Sequence, residues 1–313
     1  MAGPTRDVGH PDYSSTGSSG FIPSIWSGKL VEKLYASTAY AEIANTDYEG
    51  EIKNKGDSVQ IRTTPSITIR DYEVGGGLTY EKPTSDKVEL QIDQAKYFAF
   101  EVEDVDAYQS DINLMDDWSD DGGEQMSIEI DTNVNAYAYT EAAAANAGAT
   151  AGAKSGSLNL GEAGAPVVIT KSNILDVLVD CGTALDEQNV PNTGRYVILP
   201  AWMNGMLKKS DLRDASVMGD STSVFRNGKV GELDRFTVYV NNNLSTVTDG
   251  TTGNQCTNVI FGHKKALTFA SQMTKMQTLP NPSDFGNLIR GLNVFGRKVI
   301  DPNAIGHLYA ERG

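Results

Sequence analysis

The sequence predicts an α+β protein that contains a projecting hairpin, one unusually long helix and a compact α/β unit, in that order. Two runs of alternating apolar and polar residues indicate the hairpin. Apolar residues three and four positions apart indicate the long helix. Short apolar strands that alternate with amphipathic helices after about residue 166 indicate the α/β unit.

The hairpin is predicted between about residues 57 and 93. Every second position is apolar on both runs, at Val59, Ile61, Ile67 and Ile69 and then at Val88, Leu90 and Ile92. Between the runs, Gly75-Gly76-Gly77 and Pro83 favour a loop. Neither run is continuously apolar, so we expect the hairpin to project from the body of the protein.

The long helix is predicted to run from about Glu124 to Asn146. Met126, Ile130, Val134 and Tyr137 step by four, four and three positions along one face. Gly122-Gly123 is expected to precede the helix, which would be roughly 35 Å long at 1.5 Å per residue. A small-residue segment from Gly148 to Ala165 then predicts a domain boundary.

The α/β unit is predicted from alternating helix and strand signals. Helices are expected over Ile174–Leu185, Trp202–Lys208 and Lys264–Ala270, and strands over Tyr196–Leu199, Phe236–Val240 and Val259–Phe261. The tail from Leu292 to Ile300 alternates like a strand and ends at Asp301-Pro302.

The charge of the chain restricts its function. Its 313 residues carry a formal charge of −15, which argues against a surface that grips nucleic acid or anionic lipid. The acids are concentrated, because Tyr97 to Ala153 holds 13 Asp or Glu residues and no Lys or Arg. No apolar run approaches the roughly 20 residues that span a bilayer, and no secretory signal is evident. Two cysteines are too few for a disulfide framework, so synthesis in a reducing cytoplasm is expected.

The motifs of catalysis and cofactor binding are missing from the sequence. His10, His263 and His307 form no metal-binding spacing, and Cys181 and Cys256 form no C-x-x-C pair. We therefore predict no cofactor and no enzyme. A remote alternative is a hydrolase that uses carboxylates, for which the candidates are Glu101, Glu103 and Asp104.

One acidic motif leaves calcium binding open. Asp117-x-Ser119-x-Asp121-Gly122 matches the start of a calcium loop, in which oxygen ligands recur at alternate positions. The bidentate Glu should then fall at Ile128, whereas Glu129 is one position late. A solvated acidic face is the favoured alternative.

Three segments of the chain carry a resemblance to a known family. They are Phe21-Ile22-Pro23-Ser24-Ile25-Trp26-Ser27-Gly28-Lys29-Leu30, Asn45-Thr46-Asp47-Tyr48-Glu49-Gly50-Glu51-Ile52 and Gly56-Asp57-Ser58-Val59-Gln60-Ile61. In this order they resemble the major capsid proteins of tailed bacteriophages, which have the Hong Kong 97-like fold. Gly228 to Leu244 is similar to a segment of the axial domain of those proteins.

The resemblance covers nearly the whole chain and implies its division into domains. Residues 1–50 would form an N-terminal arm with its helix, and residues 51–100 an extended loop that reaches over an adjacent subunit. Residues 101–166 would form a peripheral domain around the long spine helix. Residues 167–284 would form the axial domain, and residues 285–313 would return to the peripheral domain.

The resemblance also implies function and partners. The chain would self-assemble as pentamers and hexamers into the icosahedral head of a double-stranded DNA bacteriophage, in the host cytoplasm. A portal, a possible decoration protein and a separate scaffolding protein are implied, the last because only about 20 residues precede the predicted arm helix. An encapsulin-like compartment is the alternative within the same fold.

The resemblance implies three sets of site residues. Contacts between subunits would come from the arm, at Ile22, Ile25 and Trp26, and from the extended loop, at Arg62, Arg70, Tyr72, Tyr80, Lys82 and Lys87. Lys82 and Lys87 also lie in the loop through which some members cross-link, but no motif identifies a partner Asn. An acidic face would point inward and repel packaged DNA without binding it, and comprises Asp116, Asp117, Asp120, Asp121, Glu124 and Glu129.

Overall fold

The computed structural model describes residues 36–47, 58–62, 65, 67–85, 87–103, 114–210, 231–282 and 284–313. The helices in this part of the chain are α1 (Tyr40–Ile43), α2 (Leu114–Ala138), α3 (Ile174–Glu187) and α4 (Ala201–Lys209). The strands are β1 (Ser58–Arg62), β2 (Lys87–Gln91), β3 (Gln94–Glu103), β4 (Val167–Ile169), β5 (Arg195–Leu199), β6 (Glu232–Leu233), β7 (Phe236–Val240), β8 (Thr246–Thr248), β9 (Gln255–His263), β10 (Leu267–Pro280), β11 (Gly286–Val299) and β12 (Ile305–Arg312).

A seven-stranded mixed sheet forms the larger unit, in the order β4-β12-β9-β5-β7-β6, with β8 also paired to β9. The central strand β5 is buried at all five positions, as a continuous apolar run predicts. The apolar side of α3, which includes Leu178 and Cys181, belongs to the same core as β5 and β9. This confirms the predicted helix–strand order from Ile174 to Phe261, with strand ends that differ by a few residues.

A three-stranded sheet, β10-β11-β3, forms the second unit and packs against the first half of α2. Phe98 of β3 lies between two glycines, because a Cβ on Gly122 would stand 3.0 Å from its ring and a Cβ on Gly291 would collide with it. Gly122 and Gly123 lie inside α2, whereas the sequence predicted that they precede the helix. The close contact between Gly122 and the Phe98 ring offsets the low helix propensity of glycine.

The long helix is confirmed, but its bounds differ from the prediction. It spans 25 residues from Leu114 and gives way to a 3-10 turn after Ala138. The alanines that follow, residues 142–145, do not continue the α-helix, because this segment forms hydrogen bonds with a distant part of the chain. The Ala143 N–H donates to the Pro302 carbonyl at 3.1 Å, and the buried Asn146 side chain donates to the Asn303 and Ile305 carbonyls. These contacts outweigh the local preference for helix.

The hairpin is confirmed at its base. Strands β1 and β2 pair antiparallel from Ser58–Gln91 to Arg62–Lys87, and the loop beyond them contains no regular strand in its described residues. The base is held to the body by a small apolar cluster of Ile61, Leu90 and Ala270. Where β2 ends, a Cβ on Gly296 of β11 would collide with the Gln91 carbonyl, so glycine permits the hairpin to lie against this sheet.

Strand pairing differs from the predicted division of the chain in two places. β10 pairs with β11 and so belongs to the three-stranded sheet, although residues 267–280 were expected in the axial domain. β12 inserts between β4 and β9 and so lies in the seven-stranded sheet, although residues 285–313 were expected to return to the peripheral domain. A third difference is local, because Lys264–Ala266 is a turn that leads into β10, where a short helix was expected.

The small-residue segment 148–165 packs against the seven-stranded sheet, although the sequence predicted a domain boundary there. The backbone of the buried Leu160 accepts a hydrogen bond from the Tyr309 N–H at 2.8 Å. The Asp249 side chain accepts backbone N–H groups from Thr252, Gly164 and Thr251, which lowers its pKa to about 2.

Candidate assembly surfaces

The extended loop exposes apolar side chains that the rest of the described chain does not cover. Ile69 is 90% exposed, Val74 92% and Tyr80 87%, whereas the central strand β5 is buried at all five positions. Exposed apolar side chains contribute no hydrophobic stabilisation when the subunit folds alone. An exposed apolar patch of this kind is typical of a surface that another molecule covers.

The structure places all six predicted loop residues on this hairpin. Arg62 and Lys87 face each other across the last pair of β1 and β2. Tyr72, Tyr80 and Lys82 are exposed beyond it. Arg70 forms an ion pair with Glu81 at 3.6 Å, and the Thr68 N–H donates to the same carboxylate at 2.7 Å, so these side chains tie the two legs of the loop together.

The predicted arm residues Ile22, Ile25 and Trp26 lie outside the described residues. The prediction that they contact a neighbouring subunit therefore remains a prediction.

Four of the predicted acids share one face of α2. At 100° per residue, Asp117, Asp120, Asp121 and Glu124 fall within about 100° of arc. This face is opposite Gly122, which packs on the sheet. Asp116 belongs to the helix as well.

Glu129 does not belong to this acidic face. It lies on the sheet side of α2, where its carboxylate pairs with the Lys96 ammonium of β3 at 2.7 Å. Spacing along a sequence does not reveal this pairing, because Lys96 is 33 positions away.

The helix also overturns the calcium alternative. A calcium loop needs its alternate residues to converge on one ion. Successive alternate residues of an α-helix point about 200° apart, so Ser119 faces away from Asp117 and Asp121. Within the described residues, no group of three or more His, Cys, Asp or Glu side chains is arranged to hold a metal ion.

A buried carboxylate that sequence reasoning missed joins three parts of the chain. Asp131 of α2 is fully buried and accepts the Ala39 and Tyr40 N–H groups through Oδ1, each at 2.9 Å. Its Oδ2 accepts the side-chain amides of Asn241 at 2.6 Å and Asn243 at 2.8 Å. The site fixes the backbone of Ala39 and Tyr40 relative to both α2 and the asparagines that follow β7 of the seven-stranded sheet.

A sequence signal for this junction existed. Asp131 lies beside the buried Ile130, and Asn135 follows four positions later on the same side of the helix. Polar residues within a buried stripe indicate specific hydrogen bonding. The run Asn241-Asn242-Asn243 supplies the partners.

The two described hydrolase candidates do not form a cleft. Glu101 and Glu103 both lie exposed on the outer face of β3, and Glu101 accepts a hydrogen bond from the Asn281 amide. Asp104 lies outside the described residues. None of the helices in the described part of the chain is long and apolar enough to cross a membrane.

Comparison with solved structures defines the class of protein. The chain is similar to a structure from Mycobacterium phage Che8, with 26% identity, a TM-score of 0.76 and coverage of 92% of this chain and 97% of that one. It is also similar to the capsid of cyanophage P-SCSP1u, with 17% identity, a TM-score of 0.71 and full coverage of both chains. The capsid of a native GTA particle aligns with 14% identity, a TM-score of 0.64 and coverage of 94% of this chain and 97% of that one. The fold is that of Hong Kong 97-like shell proteins.

The family follows from the sequence itself. The family model described as phage capsid protein matches residues 87–307, and the chain belongs to this family. It is a major capsid protein of a phage head, located in the virion capsid, and its copies assemble with one another into a shell. This membership favours the viral function over the encapsulin-like alternative. A comparison with curated proteins finds no match.

Proposed function

We propose that the extended loop and the N-terminal arm each bind an adjacent subunit, and that pentamers and hexamers held together in this way close the icosahedral head. The exposure of the loop carries the proposal, because Ile69, Val74 and Tyr80 gain burial only from a neighbour. Many modest contacts of this kind add up strongly when each subunit has several neighbours.

The further partners belong to the same proposal. Shell closure would use a separate scaffolding protein and a portal, with a decoration protein as a possible addition, and assembly would take place in the host bacterial cytoplasm. The role of the chain is structural and not catalytic. Its membership of a capsid family supports that role.

The packaged double-stranded DNA would be enclosed without specific binding. The acidic face Asp117, Asp120, Asp121 and Glu124 supports this part of the proposal, since carboxylates that face the interior repel phosphates. Asp116 is proposed to join them.

Charge reversal at Arg70 tests the loop. Arg70→Glu places a negative charge on a surface that is proposed to be covered by a neighbour. We expect shell yield to fall at least several-fold, as measured by negative-stain electron microscopy and sedimentation. The fold of the subunit should be unaffected, because an exposed ion pair contributes at most about 1 kcal/mol.

A matched control separates assembly from the internal ion pair of the loop. Glu81→Gln also removes the Arg70–Glu81 pair but leaves the Arg70 charge in place. Shells should form from Glu81→Gln and fail from Arg70→Glu. Normal shells from Arg70→Glu would contradict the loop assignment, and a wild-type chain that stays monomeric even together with its scaffolding protein would contradict the proposal as a whole.

A further inference from the structure

A polar pocket lies where β11 continues beyond the start of β3. The pairing between these two strands ends at Phe295, whereas β11 runs on to Val299. The pocket at this step is lined by Lys87 and its neighbours on β2, the first residue of β3, Tyr137 of α2 and Arg297 of β11. It has a volume of about 650 Å³, which is typical of a site for a small molecule. We call it the Arg297 pocket.

The Arg297 side chain has an unused hydrogen-bonding capacity in this pocket. Its guanidinium carbon lies 4.9 Å from the centroid of the Tyr137 ring, a cation–π contact that fixes its orientation. Its Nη1 atom is buried and donates no hydrogen bond to any described residue. The ion pairs among the described residues do not include Arg297. A buried charged donor without an acceptor in the protein is costly, which indicates an acceptor from outside it.

Burial has the largest electrostatic effect on this guanidinium. It lowers the pKa of Arg297, while Asp93 and Tyr137 act in the opposite direction. An anion in direct contact with the guanidinium would favour its charged form and offset the cost of burial.

The charges around the pocket select the kind of anion. Three cations, Lys87, Arg297 and Lys298, line it together with two acids, Glu89 and Asp93, so that one positive charge is in excess. Both acids are exposed, and water screens them. One carboxylate balances this excess, whereas a phosphate dianion or a run of acidic residues would add negative charge beside the two acids. The planar fork of a guanidinium also matches the two oxygens of a carboxylate.

The pocket joins the hairpin to the body of the subunit. Lys87 belongs to β2 of the hairpin, whereas Arg297 belongs to β11. Lys298 already approaches the Glu141 carboxylate at 3.9 Å, so Arg297 and Lys87 are the main cations of the pocket. The base of the hairpin is otherwise held by the small apolar cluster around Leu90. An anion between cations of the two units would therefore strengthen their connection.

We propose that the Arg297 pocket binds a small molecule through a single carboxylate, which accepts hydrogen bonds from Arg297 and contacts the Lys87 ammonium, and that the bound molecule braces the hairpin against the body. The inference concerns one subunit and does not depend on the proposed contact of the loop with a neighbour.

Thermal denaturation of the unassembled full chain tests the binding, with sodium acetate as the probe. A ligand that binds only the folded state raises the midpoint of unfolding as it saturates the site. We expect a saturable rise with acetate, at a dissociation constant on the order of millimolar, relative to sodium chloride at equal ionic strength. Inorganic phosphate should give a smaller saturable rise. Exclusion of salts from the protein surface also stabilises, but it does not saturate over this range.

Three variants separate the pocket from the rest of the surface. Arg297→Gln should abolish the saturable rise, and Lys87→Gln should raise the half-saturating acetate concentration at least several-fold. The matched control is Lys171→Gln, which removes an exposed lysine next to α3 and should respond like the wild type. If Arg297→Gln does not fold, Lys87→Gln decides, because Lys87 is exposed and its loss leaves the core intact.

Hydrogen exchange tests the brace. Saturating acetate should slow exchange at the paired amides of residues 58–62 and 87–91 at least threefold compared with chloride, and Arg297→Gln should remove this protection. The amides of β5, which lie in the centre of the other sheet, serve as the internal reference. Equal exchange of the hairpin in acetate and chloride would overturn the brace.

Three results would overturn the binding site and leave shell assembly intact, since all are measured on unassembled subunits. One is an equal saturable rise in Arg297→Gln and the wild type, or none in either. Another is tighter binding of inorganic phosphate than of acetate, which would assign the pocket to a phosphate group. The third is binding of N-acetylglutamate amide at least tenfold tighter than that of acetate, which would assign it to an acidic side chain of a peptide.

Discussion

At the scale of single residues, Asp131 has the largest expected effect on stability. Replacing it with Ala leaves the Ala39 and Tyr40 N–H groups and two asparagine amides without their acceptor in a buried site. Buried donors that lose a charged acceptor cost about 1–3 kcal/mol each, with partial relaxation. We expect Asp131→Ala to lower the free energy of unfolding by at least about 3 kcal/mol, measured by urea denaturation of the unassembled subunit.

Asp176→Ala is the control for Asp131→Ala. Asp176 is an exposed acid on α3, so its loss should change the free energy of unfolding by less than about 0.5 kcal/mol. Asp131→Asn should lie between the two, because its oxygen can still accept the Ala39 and Tyr40 N–H groups while its NH₂ faces two other amides. Equal stability of the Asp131→Ala and Asp176→Ala variants would contradict the junction.

At the scale of elements, neighbouring glycines of α2 offer a matched pair. A Cβ on Gly123 meets nothing within 4 Å, so Gly123→Ala should stabilise the subunit by up to about 1 kcal/mol through helix propensity. A Cβ on Gly122 would press on the Phe98 ring at 3.0 Å, so Gly122→Ala should lose that gain or destabilise. Thermal denaturation of the two variants side by side measures the difference. An equal gain from both would show that Phe98 does not require the glycine.

The elements also show how far the sequence predicts this fold. Helix α3 and strand β7 were predicted closely, because the apolar spacing within each matches its own period. The end of α2 was not predicted, since it depends on the carbonyls of Pro302, Asn303 and Ile305. Contacts between residues more than 150 positions apart leave no periodic signal near Ala138.

The same reasoning applies to the candidate surfaces. The hairpin was predicted from alternation without a continuous apolar run. The residues of its loop, 67–85, are exposed, whereas Ile61 and Leu90 at its base are buried. The contact between the Phe100 and Trp118 rings was not predicted, because the two residues belong to different elements, β3 and α2. The Lys96–Glu129 pair escaped prediction for the same reason.

At the scale of the whole molecule, the net charge of −15 has a local explanation. Four of the acids of α2, Asp117, Asp120, Asp121 and Glu124, lie together on one face of the helix, and within the described residues no group of acids is arranged to hold a metal ion. In a shell, a surface of one sign acts on whatever it faces. The proposal that it faces the interior explains how a strongly acidic wall encloses DNA.

Reversing this acidic face tests its direction. Particles of the variant Asp117→Lys/Asp120→Lys/Glu124→Lys should retain host nucleic acid inside, because each lysine would pair with phosphates that the carboxylates repel. After nuclease removes everything outside, we expect the ratio of absorbance at 260 and 280 nm to rise above that of wild-type particles. Nucleic acid should leave opened particles more readily at high salt, because salt weakens the contacts between lysines and phosphates.

The control for this reversal makes the same change of charge at exposed acids of the axial unit, Glu162→Lys/Asp176→Lys/Glu232→Lys. Nuclease separates the two sides of the shell, since only enclosed nucleic acid is protected. If the α2 variant binds added DNA that nuclease then removes, and encloses no more than wild type, its acids face outward. In that case repulsion of the packaged genome would not be the reason for the acidity of this segment.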